Sequence, residues 1–184
     1  MHNPFEGVTE RPEWTKFLAG IGHETSSSRL ALAAMIRFYA PGPRVVLDYG
    51  CGPGMSRKVI RELGMEWVGY EPAKDLAEKC GASQSLFPLA RVPDVVMVRH
   101  VLEHIPPDDL PRELSLIASI GASFIAVALS VPASERGYPS DEYLGIPRWS
   151  HKEDSLSFPG YSLKMARRLW DNHAPEEFRF FEKD

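Results

Sequence analysis

Three glycines at alternate positions follow an acid in the segment Val45-Val46-Leu47-Asp48-Tyr49-Gly50-Cys51-Gly52-Pro53-Gly54. Without a Cβ, glycine reaches positive φ freely and lets a ligand lie against bare backbone. The apolar run before the turn reads as a strand buried on both faces. The residues after it, 54–63, read as a helix whose first N–H groups lack intrahelical partners and face the same turn. Twenty-one residues after Gly50, a second short run ends in Val68-Gly69-Tyr70-Glu71-Pro72. A carboxylate at that strand tip is placed to accept hydrogen bonds from a ribose diol, as in dinucleotide-binding βαβ units. Cys51 has no base evident beside it, so it reads as a small loop residue and not a nucleophile.

A second group of chemically capable residues is Arg99-His100-Val101-Leu102-Glu103-His104, with His151 further on. Imidazole titrates near neutrality, so His100, His104 and His151 are general-base candidates by type, and the sequence does not choose among them. His100 to His104 also spells H-x-x-E-H, an inverted zinc-protease pattern. Its context argues against a protease, because it follows an apolar strand directly and Pro106-Pro107 prevents the long helix such an enzyme needs.

The elements that must position these residues alternate along the chain. A helix capped by Ser26 or Ser27 runs to about Tyr39, where Pro41-Gly42-Pro43 stops it; residues 1–43 form an N-terminal helical cap in which Trp14, Phe17, Leu18 and Ile21 are docking candidates. Strands are expected at 44–48, 66–70, 82–86, 94–98 and 123–131, and helices at 54–63, 73–79 and 107–117. Such alternation predicts an α/β domain with a mainly parallel sheet. Residues 131–160 break the rhythm with four prolines and with Tyr138, Tyr143, Trp149 and Phe158. A connection this long inside one domain reads as a lid that walls an acceptor pocket, with His151 near its middle. A helix at 161–172 and one strand at 177–181 close the chain.

Composition narrows the function classes. The 184 residues suit one domain, and 43% hydrophobic with 25% charged residues is an ordinary globular balance. Twenty-one basic against 25 acidic residues leave a net charge of −4 and a pI near 5.9, which favours a small-molecule partner over nucleic acid. Two cysteines cannot form a disulfide framework. No secretory leader and no apolar run of membrane-spanning length is legible, so a cytoplasmic location is expected.

The glycine spacing is D-x-G-x-G-x-G, not the G-x-G-x-x-G of nicotinamide enzymes. It resembles motif I of the class I S-adenosylmethionine-dependent methyltransferases. Asp94-Val95-Val96-Met97-Val98 followed by Val101-Leu102-Glu103-His104-Ile105 is similar to the same family's fourth-strand segment. The resemblance implies a Rossmann-like α/β/α sandwich with strand order 3-2-1-4-5. It implies that S-adenosylmethionine is bound by Asp48, Gly50, Cys51, Gly52, Gly54, Glu71 and Pro72, with Leu86 (or Ser85 or Phe87) near the adenine. Arg99 or His100 would lie near the transferring methyl, and S-adenosylhomocysteine would be the product. The family ends in two antiparallel strands, whereas only one is legible here, so a shortened C-terminal end is expected, with a homodimer as one way to cover the exposed sheet edge. No metal requirement is expected. The alternatives are a metal-dependent RNA 2′-O-methyltransferase, which carries E-x-x-E-H where this chain has His100, Glu103 and His104, or a cofactor-binding protein without transferase activity.

Overall fold

The computed structural model describes residues 27–40, 42–43, 45–130, 142–143, 146–147, 149, 151, 155–170 and 175–184. Helix α1 (Ser27–Tyr39) leads to β1 (Val45–Tyr49), α2 (Arg57–Glu62), β2 (Glu66–Tyr70), α3 (Lys74–Cys80) and β3 (Val95–Arg99). A 3-10 turn (Leu102–His104), α4 (Leu110–Ser119) and β4 (Phe124–Ser130) follow. Two short strands, β5 (Glu142–Tyr143) and β6 (Ile146–Pro147), pair with each other, and β7 (Tyr161–Trp170) and β8 (Pro175–Lys183) end the chain.

The main sheet runs β2-β1-β3-β4-β8-β7. The first four strands are parallel and the last two antiparallel. All five residues of β1 are buried, as its uninterrupted apolar character requires of a central strand covered on both faces. One core layer packs Leu47, Tyr49, Val96 and Val98 with Leu114 and Ile117 of α4. The other packs Val46 and Met97 with Leu32 and Ile36 of α1 and Ile60 of α2. Sheet alternation thus sends odd and even residues of one strand into different helix layers, giving the expected α/β/α sandwich.

The C-terminal end corrects two expectations. Residues 161–170 form strand β7, not a helix, and the sheet carries both antiparallel strands, not a shortened end. The segment Leu163-Lys164-Met165-Ala166-Arg167-Arg168 is built of good helix formers. Pairing with β8 along the whole strand outweighs that local preference. Strand β8 itself buries Phe178 and Phe180 in one layer and Phe181 in the other. A further correction concerns 82–86, where the expected strand reduces to a single bridge between Ser83 and Tyr70.

Phe158, expected to wall an acceptor pocket, is a core residue only 1% exposed, its ring 4.9 Å from that of Phe181. Residues 1–26, including Trp14, Phe17, Leu18 and Ile21, and most of 131–160, including Tyr138, lie outside the described residues.

Candidate active site

The chain reverses sharply between β1 and α2, and the three glycines of that turn all have positive φ: 67° at Gly50, 54° at Gly52 and 72° at Gly54. L-residues with a side chain pay about 1–2 kcal/mol for such a backbone. Space is also closed at two of them. A Cβ on Gly50 would lie 2.7 Å from Val101 Cγ2, and one on Gly54 would lie 2.7 Å from Cys80 Cβ.

Glu71, just beyond β2, reaches back to this loop. Its Oε2 accepts the Gly52 N–H at 2.7 Å, and its Oε1 accepts the Ala73 N–H at 3.0 Å. The acid and the glycines singled out from sequence are therefore in direct contact, with Pro72 half-buried beside them. Burial raises the Glu71 carboxyl above the ordinary carboxylate value, and the two N–H groups oppose that rise. Each carboxylate oxygen can accept more than one hydrogen bond, so capacity for two hydroxyl donors remains. The Cys51 N–H donates to the Tyr70 carbonyl at 3.0 Å, carrying the β1–β2 pairing into the turn.

Asp48 is 2% exposed and lies beneath the loop, its Oδ2 accepting the Trp67 indole N–H at 3.0 Å. Burial pushes its carboxyl up to about 6, against the opposing pull of that hydrogen bond, Arg99, Ser56 and Arg29. The Cys51 thiol lies 4.0 Å from that of Cys80. Burial, with Asp48, Cys80 and Glu71 nearby, pushes the Cys51 thiol far up, so it is no nucleophile. Leu86 is buried in the core layer that contains Tyr49 and Val101. Arg57 donates to the Cys80 carbonyl at 3.0 Å and lies 5.4 Å over the Trp67 ring.

The tip of β3 holds the second group. His100 has φ 54°, the one non-glycine among the described residues with positive φ, and its N–H donates to the Ala128 carbonyl at 2.9 Å. Its Nδ1 is 2.8 Å from Glu103 Oε1 and 3.0 Å from Ser130 Oγ; its Nε2 is 3.0 Å from Glu176 Oε1. Arg99 donates to the same Glu176 oxygen at 3.3 Å. His104 is buried within the 3-10 turn, and His151 directs Nε2 to the Leu102 carbonyl at 2.7 Å. His100 and His151 thus face different partners. Among the described residues no group of three or more His, Cys, Asp or Glu side chains is arranged to hold a metal ion. Sequence reasoning missed Glu176, Ser130 and Trp67, which meet the site only through sheet pairing.

A run of parallel strands, a glycine turn at the carboxyl ends of the central ones and an acid on the neighbouring strand are the features of a nucleotide-binding α/β site. The profile of the methyltransferase domain family matches residues 23–175. The chain belongs to that family. A protein of Mycobacterium sp. (strain JLS) described as an uncharacterised methyltransferase is 32% identical over 108 residues, covering 53% of this chain and 43% of that one. The chain therefore spans less than half the length of the curated relatives it matches. Among solved structures, magnesium protoporphyrin IX methyltransferase from Synechocystis PCC 6803 with bound S-adenosylmethionine superposes with a TM-score of 0.71. The two are 14% identical, and the match covers 100% of this chain and 99% of that one. The 1,6-didemethyltoxoflavin N1-methyltransferase of Burkholderia thailandensis, solved with its substrate and S-adenosylhomocysteine, gives 0.69 at 14% identity, covering 100% and 91%. At these identities the structures establish a shared fold.

Proposed function

We propose that this methyltransferase-family domain moves a methyl group from S-adenosylmethionine to an oxygen, nitrogen or carbon nucleophile of a small molecule, releasing S-adenosylhomocysteine. The observation that carries the reading is the contact between Glu71 and Gly52, which joins a diol-binding acid to a bare-backbone loop. The loop of Gly50, Cys51, Gly52 and Gly54 supports the methionine and ribose parts, Glu71 receives the diol, Asp48 holds the loop from below, and Pro72 and Leu86 border the adenine. Arg99 and His100 stand at the methyl-transfer edge.

The cofactor supplies an electrophilic methyl on a sulfonium whose charge disappears as the methyl leaves. What the protein must do is align the nucleophile, carbon and sulfur, and keep water out. Residues 131–160 are assigned to the acceptor side. The support is that the Trp149 N–H donates to the Glu103 carbonyl at 2.8 Å and His151 meets the Leu102 carbonyl, so both dock on the turn next to the β3 tip. Porphyrin and toxoflavin, the acceptors in the names of two structural neighbours, are compact ring systems, which agrees with a small-molecule acceptor.

The two thiols are free, as suits a reducing cytoplasmic compartment, and no helix among the described residues is long and apolar enough to cross a membrane. The outer strand β7 carries exposed Lys164, Arg167 and Arg168, charges that discourage edge-to-edge pairing.

Calorimetry tests the reading. S-adenosylhomocysteine should bind the wild type, and Gly52→Asp should abolish binding while the far-ultraviolet circular dichroism is kept. Equal affinity in both proteins would remove the cofactor from this loop.

A further inference from the structure

His100 occupies a strained position for a side-chain-bearing residue, and such backbones persist only where the surroundings over-determine them. Here the surroundings are visible. The groups that act on the ring among the described residues are Glu103 from the 3-10 turn, Glu176 from β8, the Ser130 hydroxyl from the end of β4, and the charge of Arg99 at the end of β3, itself paired with Glu176.

Both ring nitrogens lie within hydrogen-bond distance of a carboxylate oxygen, on opposite sides of the ring. A neutral imidazole has one donor and one acceptor nitrogen, so one of these contacts would bring a lone pair against a carboxylate. An imidazolium donates to both. We infer, resting on the methyl-transfer reading, that His100 is a cationic positioning residue which ties β8 to the 3-10 turn on the acceptor side, and not the base that takes the acceptor's proton.

What it positions follows from Glu103. That residue's side chain holds His100 Nδ1 and lies 3.4 Å from the Ser130 N–H, while its main-chain carbonyl receives Trp149. Trp149 therefore docks on a turn whose orientation depends on the His100 ring. Burial and the Arg99 charge oppose a cationic ring, yet the two carboxylates outweigh them and hold the His100 pKa above the ordinary imidazole value. Its contribution to stability is accordingly complete below the ordinary imidazole pKa and is lost as pH rises through the raised folded value.

The test uses the full chain labelled with 15N-histidine, in the presence of S-adenosylhomocysteine, followed by long-range 1H–15N spectra from pH 5.5 to 9. The His100 signals are assigned by their loss in His100→Gln. At pH 7 both His100 ring nitrogens should be protonated, and Glu176→Gln should lower the ring's titration midpoint by about one unit. Amide exchange at Trp149 should quicken roughly tenfold above that midpoint, beyond the ordinary rise of exchange with pH seen at other amides, and at pH 7 in His100→Gln. A single protonated nitrogen at pH 7 would overturn the inference and restore the base. Trp149 exchange indifferent to the ring's charge would overturn it as well. Absence of S-adenosylhomocysteine binding in the wild type would strike the methyl-transfer reading and leave the ring's protonation to be read independently.

Discussion

The Trp67 indole donates its N–H to Asp48 Oδ2 across two adjacent parallel strands. Gly69 is the residue paired with Asp48 in that register, and a Cβ on it would lie 2.4 Å from the Trp67 ring. Gly69 is thus the vacancy that lets the indole cross to the acid. The same ring lies beneath Gly54 and under Arg57, so one aromatic side chain braces the floor of the glycine turn.

Asp48 should give stability a pH signature. Its folded pKa of about 6 lies above the ordinary carboxylate value. The folded state therefore holds a proton that the unfolded chain has released between roughly pH 4 and 6. Stability falls as pH rises through that window, by about 3 kcal/mol in all, and the contribution is complete below it. Asp48→Asn keeps an acceptor for Trp67 and should flatten this slope relative to wild type. Thermal unfolding of both proteins from pH 4 to 7.5 measures it, and parallel curves would contradict the buried acid.

Gly54 and Gly64 have similar φ, 72° and 77°, but only Gly54 is crowded. Gly64→Ala should cost the left-handed backbone alone, about 1–2 kcal/mol. Gly54→Ala adds a clash with Cys80 Cβ, a further 1–3 kcal/mol or so, and should weaken S-adenosylhomocysteine binding while Gly64→Ala does not. Urea unfolding with calorimetry separates the two effects.

Glu71→Gln preserves shape but turns an amide N–H toward the N–H of Gly52 or Ala73. Affinity for S-adenosylhomocysteine should drop by about 1–3 kcal/mol, roughly 5- to 150-fold, with the fold kept. An unchanged dissociation constant would place the diol elsewhere.

Tyr49 donates its hydroxyl to Glu113 Oε1 at 2.5 Å, with both side chains buried between the sheet and α4. Burial raises both groups above their ordinary pKa values. Tyr49→Phe leaves a buried carboxyl without this donor and should destabilise by about 1–3 kcal/mol. Adding Glu113→Gln should cost less in this background than in wild type, and strict additivity in a double-mutant cycle would deny the coupling.

The parts of this design that are legible in sequence are those held together by local spacing. The apolar runs of β1 to β4 announce buried strands, and the order acid, glycines, second acid places Glu71 against Gly52 because one βαβ unit spans them. Strand β7 was not legible, since its residues favour a helix until β8 is present to pair with them. The His100–Glu176 contact joins residues 76 positions apart through a crossover in strand order, and no periodicity encodes that.

Strand β8 lies inside the sheet, between β4 and β7. A nascent chain can assemble β1 to β4 as they leave the ribosome, but the open side of β4 then waits until residues 175–183 have been made. At common rates of synthesis that interval lasts on the order of a few seconds. Throughout it, the unpaired edge of Phe124–Ser130 and the apolar surface that Phe178, Phe180 and Phe181 later cover face solvent. An interior strand that arrives late leaves a half-built sheet with an edge open to other strands, so slower translation of residues 131–183 should lengthen that exposure.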